Sequence, residues 1–488
     1  MTISPAPGNK GLFRRLPIDY ITDETAESGL TRTLGLWQLT AIGVGGIIGA
    51  GIFALAGRVA HNTAGPAVLI SFLIAGVASA AAALSYAEFA GLIPRAGSAY
   101  TYGYAVLGEP IGWVIGWDLL LEYTAIVSVV AIGISGYFNE LLSLLGLKLP
   151  LWMSGAPGTE PTGVPSGSYR IDLFAALLCL LIAYVLNRGM RSAARFETAL
   201  VYVKVAIVLL VIVVGMFHIN SANYSPFAPF GLAGALTGAA TVFFAVFGYD
   251  AMSTAAEEST DSQKHMPKAI IYSLAISMVL YVAACLVLTG MVRYTDIDTK
   301  AAFSSAFTSV GLNVVALIIA VGAILGILTV LFTFMMGAAR VGYSMSRDGL
   351  LPAWFGKTHP VRKAPTRMTW ILGVVSAVLA GLFNIEEVAQ LTNIGILLAF
   401  VIVCIAVIVL RYRQPDLPRG FRCPWMPVIP IVGVGFSIWL IIALRDWLTY
   451  ARFAGWFVIG LIIYLAYSRR HSRLALVQQA SSDGTSEL

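Results

Sequence analysis

Residues 43–53 read "GVGGIIGAGIF", inside an apolar run long enough to cross a membrane. Five of the first nine are glycine. Each glycine weakens a helix interior by about 1 kcal/mol relative to alanine. Close packing through the Gly45/Gly49 GxxxG pair explains two of the five and leaves three. A nucleotide-binding loop does not fit, because it needs a strand before it and a helix after it in a soluble βαβ unit. The stretch predicts a membrane helix that loses its winding midway.

The rest of the chain supports a membrane setting. Its 488 residues are 58% hydrophobic and 11% charged, too little charge for a soluble protein of this length. A helix needs about 20 apolar residues to cross a hydrocarbon layer of roughly 30 Å. The predicted fold class is an all-α integral membrane protein with twelve transmembrane helices. The spans are expected near 36–56, 66–92, 111–142, 171–188, 197–217, 232–257, 270–291, 313–345, 368–384, 388–410, 425–445 and 453–468.

Orientation follows from basic residues in the flanks. With the N-terminus inside, 23 of the 31 lysines and arginines fall in inner segments and 7 in outer ones, and Lys204 lies within a span. Both termini are therefore expected in the cytosol, as tails at 1–35 and 469–488. The first tail has no short apolar region before a cleavage site, so it reads as a tail and not a signal peptide. This distribution also explains the net charge of +6 without nucleic acid. The four cysteines, Cys179, Cys285, Cys404 and Cys423, lie far apart with no metal-ligand spacing. No metal and no cofactor is expected.

A second irregular span is expected at 232–257, where Phe247-Gly248-Tyr249-Asp250 puts glycine and an acid inside a helix. The broken spans are the first and the sixth. They correspond if 36–217 (spans 1–5) and 232–411 (spans 6–10) are two repeats, followed by two additional spans at 425–468. Paired broken helices of this kind point to a transporter built on inverted repeats. Backbone exposed at membrane depth is tolerated only where it is buried in protein or lines a cavity.

A half-helix starting at Gly49-Ala50-Gly51 presents free N–H groups and a positive dipole end, which attract a carboxylate. Unwound carbonyls at Ile47, Phe244, Ala245 and Phe247 attract an ammonium. A small zwitterion, an α-amino acid, fits both ends, whereas a carboxylate alone uses half of the arrangement.

Ionisable residues within spans are functional candidates. Lys204 lies nine residues from Arg195, about 13 Å along a helix. It either snorkels to the cytosolic edge or is buried and exchanges a proton during transport. Asp118 and Glu122 share a helix face. Glu122 lines the pocket, pairs with Lys204 through water, or stays protonated as a packing group. Asp250 handles protons or caps a helix end. Glu88 and the Glu257-Glu258 pair sit at span ends, where solvation is expected. His218, His265 and His359 fall in predicted loops and receive no catalytic role.

The sequence resembles the amino acid–polyamine–organocation superfamily, and more narrowly its bacterial cationic amino acid transporter branch, over about residues 30–470. The resemblance rests on "GVGGIIGAGIF", on "LSYAEFAGLIPRAGSAYTY" at 84–102, on "FFAVFGYDAMSTAAEE" at 243–258 and on the loop "MPKAI" at 266–270. It implies a leucine-transporter-like fold of two inverted five-helix repeats plus two helices, and alternating access. By the motif, Gly49, Ala50 and Gly51 hold the substrate's α-carboxylate. Ile47, Phe244, Ala245 and Phe247 hold its α-amino group, and the Phe244 ring closes the pocket outward. Lys204 matches the lysine that occupies the sodium position in proton-coupled members, and Glu122 and Asp250 match acidic positions near the pocket. Alanine stands at 50 where many relatives carry serine or threonine. Gly326-Ile327-Leu328 is expected beside the substrate side chain, and too few acids face the pocket to favour arginine or lysine.

The expected function is proton-coupled symport of a small α-amino acid across the plasma (inner) membrane, with amino acid, protons and bilayer as partners. An amino acid exchanger and a transporter-like sensor are the rivals. A membrane enzyme would need a catalytic pair within the spans, such as Asp118 and Glu122, and no zinc motif or serine elbow accompanies them.

Overall fold

A computed structural model describes residues 34–49, 51–93, 97–160, 164–188, 190–256, 259–299, 301–358, 365–443 and 447–474, apart from the side chains of 54, 140, 144, 190–198 and 244. The tails before 34 and after 474, Ala50, the Phe244 ring, Glu257, Glu258 and His359 therefore lie outside the described residues.

The described chain is helical, with only isolated backbone bridges besides. Helix α1 (Leu36–Ile47) stops at an extended Ile48. The chain coils again as α2, a run of π and α turns (Gly51–Leu55, Ala56–Val59, Ala60–Ala64). Then come α3 (Val68–Leu92), a short α4 (Ala99–Val106), the long α5 (Glu109–Leu144), α6 (Leu173–Arg188) and α7 (Met190–Gly215). In the second half, α8 (Gly231–Val242) and α9 (Tyr249–Ser253) flank the second irregular stretch. They are followed by α10 (Ser262–Met291), α11 (Ala302–Ser309), α12 (Asn313–Arg347), α13 (Thr366–Leu382), α14 (Ile385–Arg413), α15 (Val428–Ala443) and α16 (Trp447–Ile463). Eight helical runs among the described residues are long and apolar enough to cross a membrane. Four shorter apolar helices, α6, α8, α13 and α15, stand beside them.

Two features depart from the expectations. The "MPKAI" stretch and His265 belong to α10, which begins at Ser262 with Asp261 as its cap. Pro267 is the sixth residue of this helix and, lacking an N–H, gives the Gln263 carbonyl no i+4 donor. And α4 and α11 fill stretches expected to be loops. Every residue of α4 is buried, including Tyr100, Tyr102 and Tyr104, so its period carried no amphipathic signal.

The core lies where α1, α3, α5, α10, α12 and α14 meet. It is rich in small residues, and close backbone approach replaces the hydrophobic drive that lipid cannot supply. Opposite it, α16 has only Thr449 and Gly460 buried.

A candidate substrate site where two helices break

Both predicted interruptions exist. In the first, Ile48 adopts φ −72°, ψ 107°, which removes it from the helix. In the second, a single 3-10 turn (Phe243–Ala245) leads to an irregular Val246 and to Gly248 at φ +125°. That φ is strained for any residue with a side chain.

The two breaks touch. A Cβ on Gly46 would lie 2.9 Å from the Gly248 carbonyl oxygen, and one on Gly248 would lie 2.6 Å from the Gly46 carbonyl carbon. A Cβ on Gly51 would lie 2.4 Å from the Ala245 α-carbon. The glycines are thus needed for main chain to meet main chain. Ile47, Ala245 and Phe247 are buried at this junction, Gly49 packs on Val330 of α12, and the Phe247 and Phe334 rings are 5.5 Å apart.

Lys204 is fully buried and does not snorkel. Its Nζ donates to the carbonyl of Gly45, to the carbonyl of Ile48 at 2.7 Å and to Thr329 Oγ1 at 2.8 Å. These are carbonyls that the end of α1 leaves without an intrahelical donor. One ammonium from α7 therefore joins the first break to α12. Gly326 lies against the Lys204 side chain, where a Cβ would be 2.8 Å from the Lys204 Cβ. A second hydroxyl serves the same break: Tyr281 donates to the Ile47 carbonyl at 2.7 Å.

The second break is held by neutral groups. Ser79 donates to the Val246 carbonyl at 2.8 Å, and Asn393 to the Ala240 carbonyl at 3.3 Å. Asp250 accepts from the Tyr123 hydroxyl at 2.6 Å. Next to Tyr123 in sequence, Glu122 is buried, and with Asp118 it flanks Gly395 of α14. Oxygens of Asp118, Glu122 and Asp250 and the Tyr86 hydroxyl are buried without a hydrogen-bond partner among the described residues.

Sequence reasoning missed Tyr281, Thr329 and Ser79. Their only signal was a lone hydroxyl inside an apolar run, which many helices use to bond their own backbone. Glu88 is a correction. It is buried, accepts from Arg411 at 3.2 and 2.5 Å and from the Cys423 amide at 2.7 Å, and lies 3.0 Å from Arg419 Nε. The end of α14 supplies Arg411 and the chain following it supplies Arg419 and Cys423, so the carboxylate is paired and not solvated.

At the other end of the molecule, a cavity of about 660 Å³ is lined by residues including Arg58, Asn139, Asp172 and Glu386. Arg58 of α2 pairs with Glu386 of α14 at 2.6 Å beside it.

The family model for amino acid permeases matches residues 34–466. The chain belongs to the amino acid permease family. It is a multi-pass membrane transporter and not an enzyme. Among its relatives, the permease is 45% identical over 463 residues to the methylthioribose transporter of Bacillus subtilis (strain 168), an alignment covering 95% of this chain and 99% of the relative. It is also 45% identical over 468 residues to the branched-chain amino acid permease BcaP of the same organism, with 95% and 99% covered. It is 35% identical over 413 residues to the vacuolar cationic amino acid transporter 4 of Arabidopsis thaliana, with 83% and 68% covered.

Proposed function

We propose that this permease is a proton-coupled symporter of a small α-amino acid with an apolar side chain, working by alternating access. The observation that carries the proposal is the buried Lys204 ammonium on the carbonyls of the first break, opposite a second break at Gly248. A charge that can leave as a proton, seated on the Gly45 and Ile48 carbonyls that flank the groups assigned to substrate, couples proton and substrate through one piece of backbone. Gly49, Ala50 and Gly51 receive the carboxylate, and Ile47, Phe244, Ala245 and Phe247 the ammonium. Glu122 and Asp250 complete the proton path. The fold is then twelve spans in two inverted repeats (36–217 and 232–411) with two added helices (425–468), both termini cytosolic, in the plasma membrane. Val330 and Phe334 beside the junction favour an apolar side chain, in keeping with a branched-chain amino acid permease among the relatives.

A second reading has equal identity behind it: a relative is named a methylthioribose transporter. That sugar has no zwitterion and would leave the two dipole ends unused. One experiment separates the readings. Purified permease is screened by thermal shift with the twenty amino acids and methylthioribose, since a ligand stabilises the form it binds. Uptake of the best ligand is then followed in proteoliposomes with an imposed pH gradient. Stabilisation by leucine, isoleucine or valine, and uptake driven by the gradient into empty vesicles, is expected. Stabilisation by methylthioribose alone overturns the substrate class, and uptake only into vesicles preloaded with substrate overturns symport in favour of exchange.

A further inference from the structure

After α16 the chain widens into a π turn (Tyr464–Ser468) and ends its described course at Leu474. This segment is fastened unlike the helix before it. Tyr464, Ser468, Ser472 and Leu474 are all buried, whereas α16 has two buried residues. Tyr464 packs on the Trp113 ring at 5.8 Å, and hydrogen bonds add polar fastenings. Both carboxylate oxygens of the buried Glu109, at the start of α5, accept hydroxyls: Oε1 from Tyr464 at 3.2 Å and Oε2 from Ser472 at 2.7 Å. Ser468 donates to the Leu350 carbonyl at 2.6 Å, and the Arg473 amide to the Asp348 carbonyl at 3.0 Å. Gly349, at φ +78°, lets the segment cross: a Cβ there would lie 2.2 Å from the His471 carbonyl oxygen.

Asp348 connects this crossing to the substrate site. Its Oδ2 accepts the Tyr100 hydroxyl of α4 at 2.6 Å. The residue preceding α4, Ser98, donates to the Asp250 carbonyl at 3.2 Å and accepts from Ser253 at 3.0 Å, both on α9 beyond the second break. The ring of Tyr102 stacks on Phe89 of α3 at 5.0 Å. So α4 is a wholly buried helix tied through Ser98 to α9, and the C-terminal segment clamps the aspartate to which α4 is bonded.

We propose that residues 464–474 are a releasable strap that holds α4 in place as the floor of the substrate site, so that unfastening the strap opens the path on that side. The strap is held by hydrogen bonds to Glu109, Leu350 and Asp348 and by two apolar anchors, Tyr464 against Trp113 and the buried Leu474, so it can open as a local unit smaller than a whole helix. The inference rests on the transport reading, but its test needs no substrate, so the two can fail separately.

The test follows the reaction of a polar maleimide with Thr101→Cys in full-length protein held in lipid nanodiscs. Thr101 is buried within α4, and the four native cysteines are buried too. Tyr464→Phe with Ser472→Ala removes both hydroxyls from Glu109, and Gly349→Val displaces the strap by a separate route. Each is expected to speed labelling at position 101 about tenfold or more, with Cys285 as unreactive as before. If the double variant does not purify as a single species, Ser472→Ala alone is read in the same way, with a smaller rise. Unchanged labelling at 101 in the hydroxyl variant overturns the proposal. So does an equal rise at Cys285, which would mean that the whole bundle has loosened.

Discussion

The two helix breaks differ in what holds them open. The first is bonded by a charged group, since Lys204 reaches the Gly45 and Ile48 carbonyls, with the Tyr281 hydroxyl on Ile47. The second is bonded by neutral groups, the Ser79 hydroxyl on Val246 and the Asn393 amide on Ala240. Hydrogen bonds from a charged donor contribute about 1.5–3 kcal/mol each, against about 1 kcal/mol for neutral ones. Only the first set can be switched by removing a proton. On the proposed mechanism, the contrast assigns the switching role to the lysine at the first break.

The strongest way to break this contrast is Lys204→Ala. It leaves two carbonyls and Thr329 without their buried donor, and uptake driven by a pH gradient should fall by about 100-fold or more. Uptake in proteoliposomes with and without the gradient checks this. Wild-type rates and pH dependence in the variant would remove the lysine from the mechanism.

Thr329→Val keeps the shape of the side chain and takes away one acceptor from the ammonium. The expected loss is about 1.5–2 kcal/mol, or roughly 10- to 30-fold in uptake, accompanied by a shift in the pH profile. A slower rate with an unmoved pH profile would mean that Thr329 only packs. Ser79→Ala is the matching probe of the second break. Its cost should be about 1–3 kcal/mol in thermal stability, with the pH profile of uptake unchanged. A shifted profile there would erase the distinction between the breaks.

How much of this was legible depended on whether a residue's role was local. Glycine density at 43–51 and the Phe247-Gly248 pair identified both breaks, because losing helical winding is a property of the residues themselves. Gly49, Gly51, Ile47 and Ala245 were placed near the junction by the same logic. Lys204 was visible as a charge in an apolar run, but its partners were not, since Gly45 and Ile48 are more than 150 positions away in sequence. Glu88 misled for the same reason. Its arginine partner Arg411 lies 323 residues further along the chain, and no flanking residue reports such a pairing. The burial of α4 was hidden by its own composition, for three tyrosines in eight residues look like surface until neighbours cover every side.

By itself the sequence determined that the chain is a multi-pass membrane protein and where two of its apolar runs must come apart. Those outcomes follow from residue chemistry acting over a few neighbours. The tertiary structure alone decided that the two interruptions meet at Gly46 and Gly248, that one ammonium bonds the first of them, and that the last described residues clamp Asp348. These contacts join segments far apart in the chain, and their energies exist only once those segments are brought together.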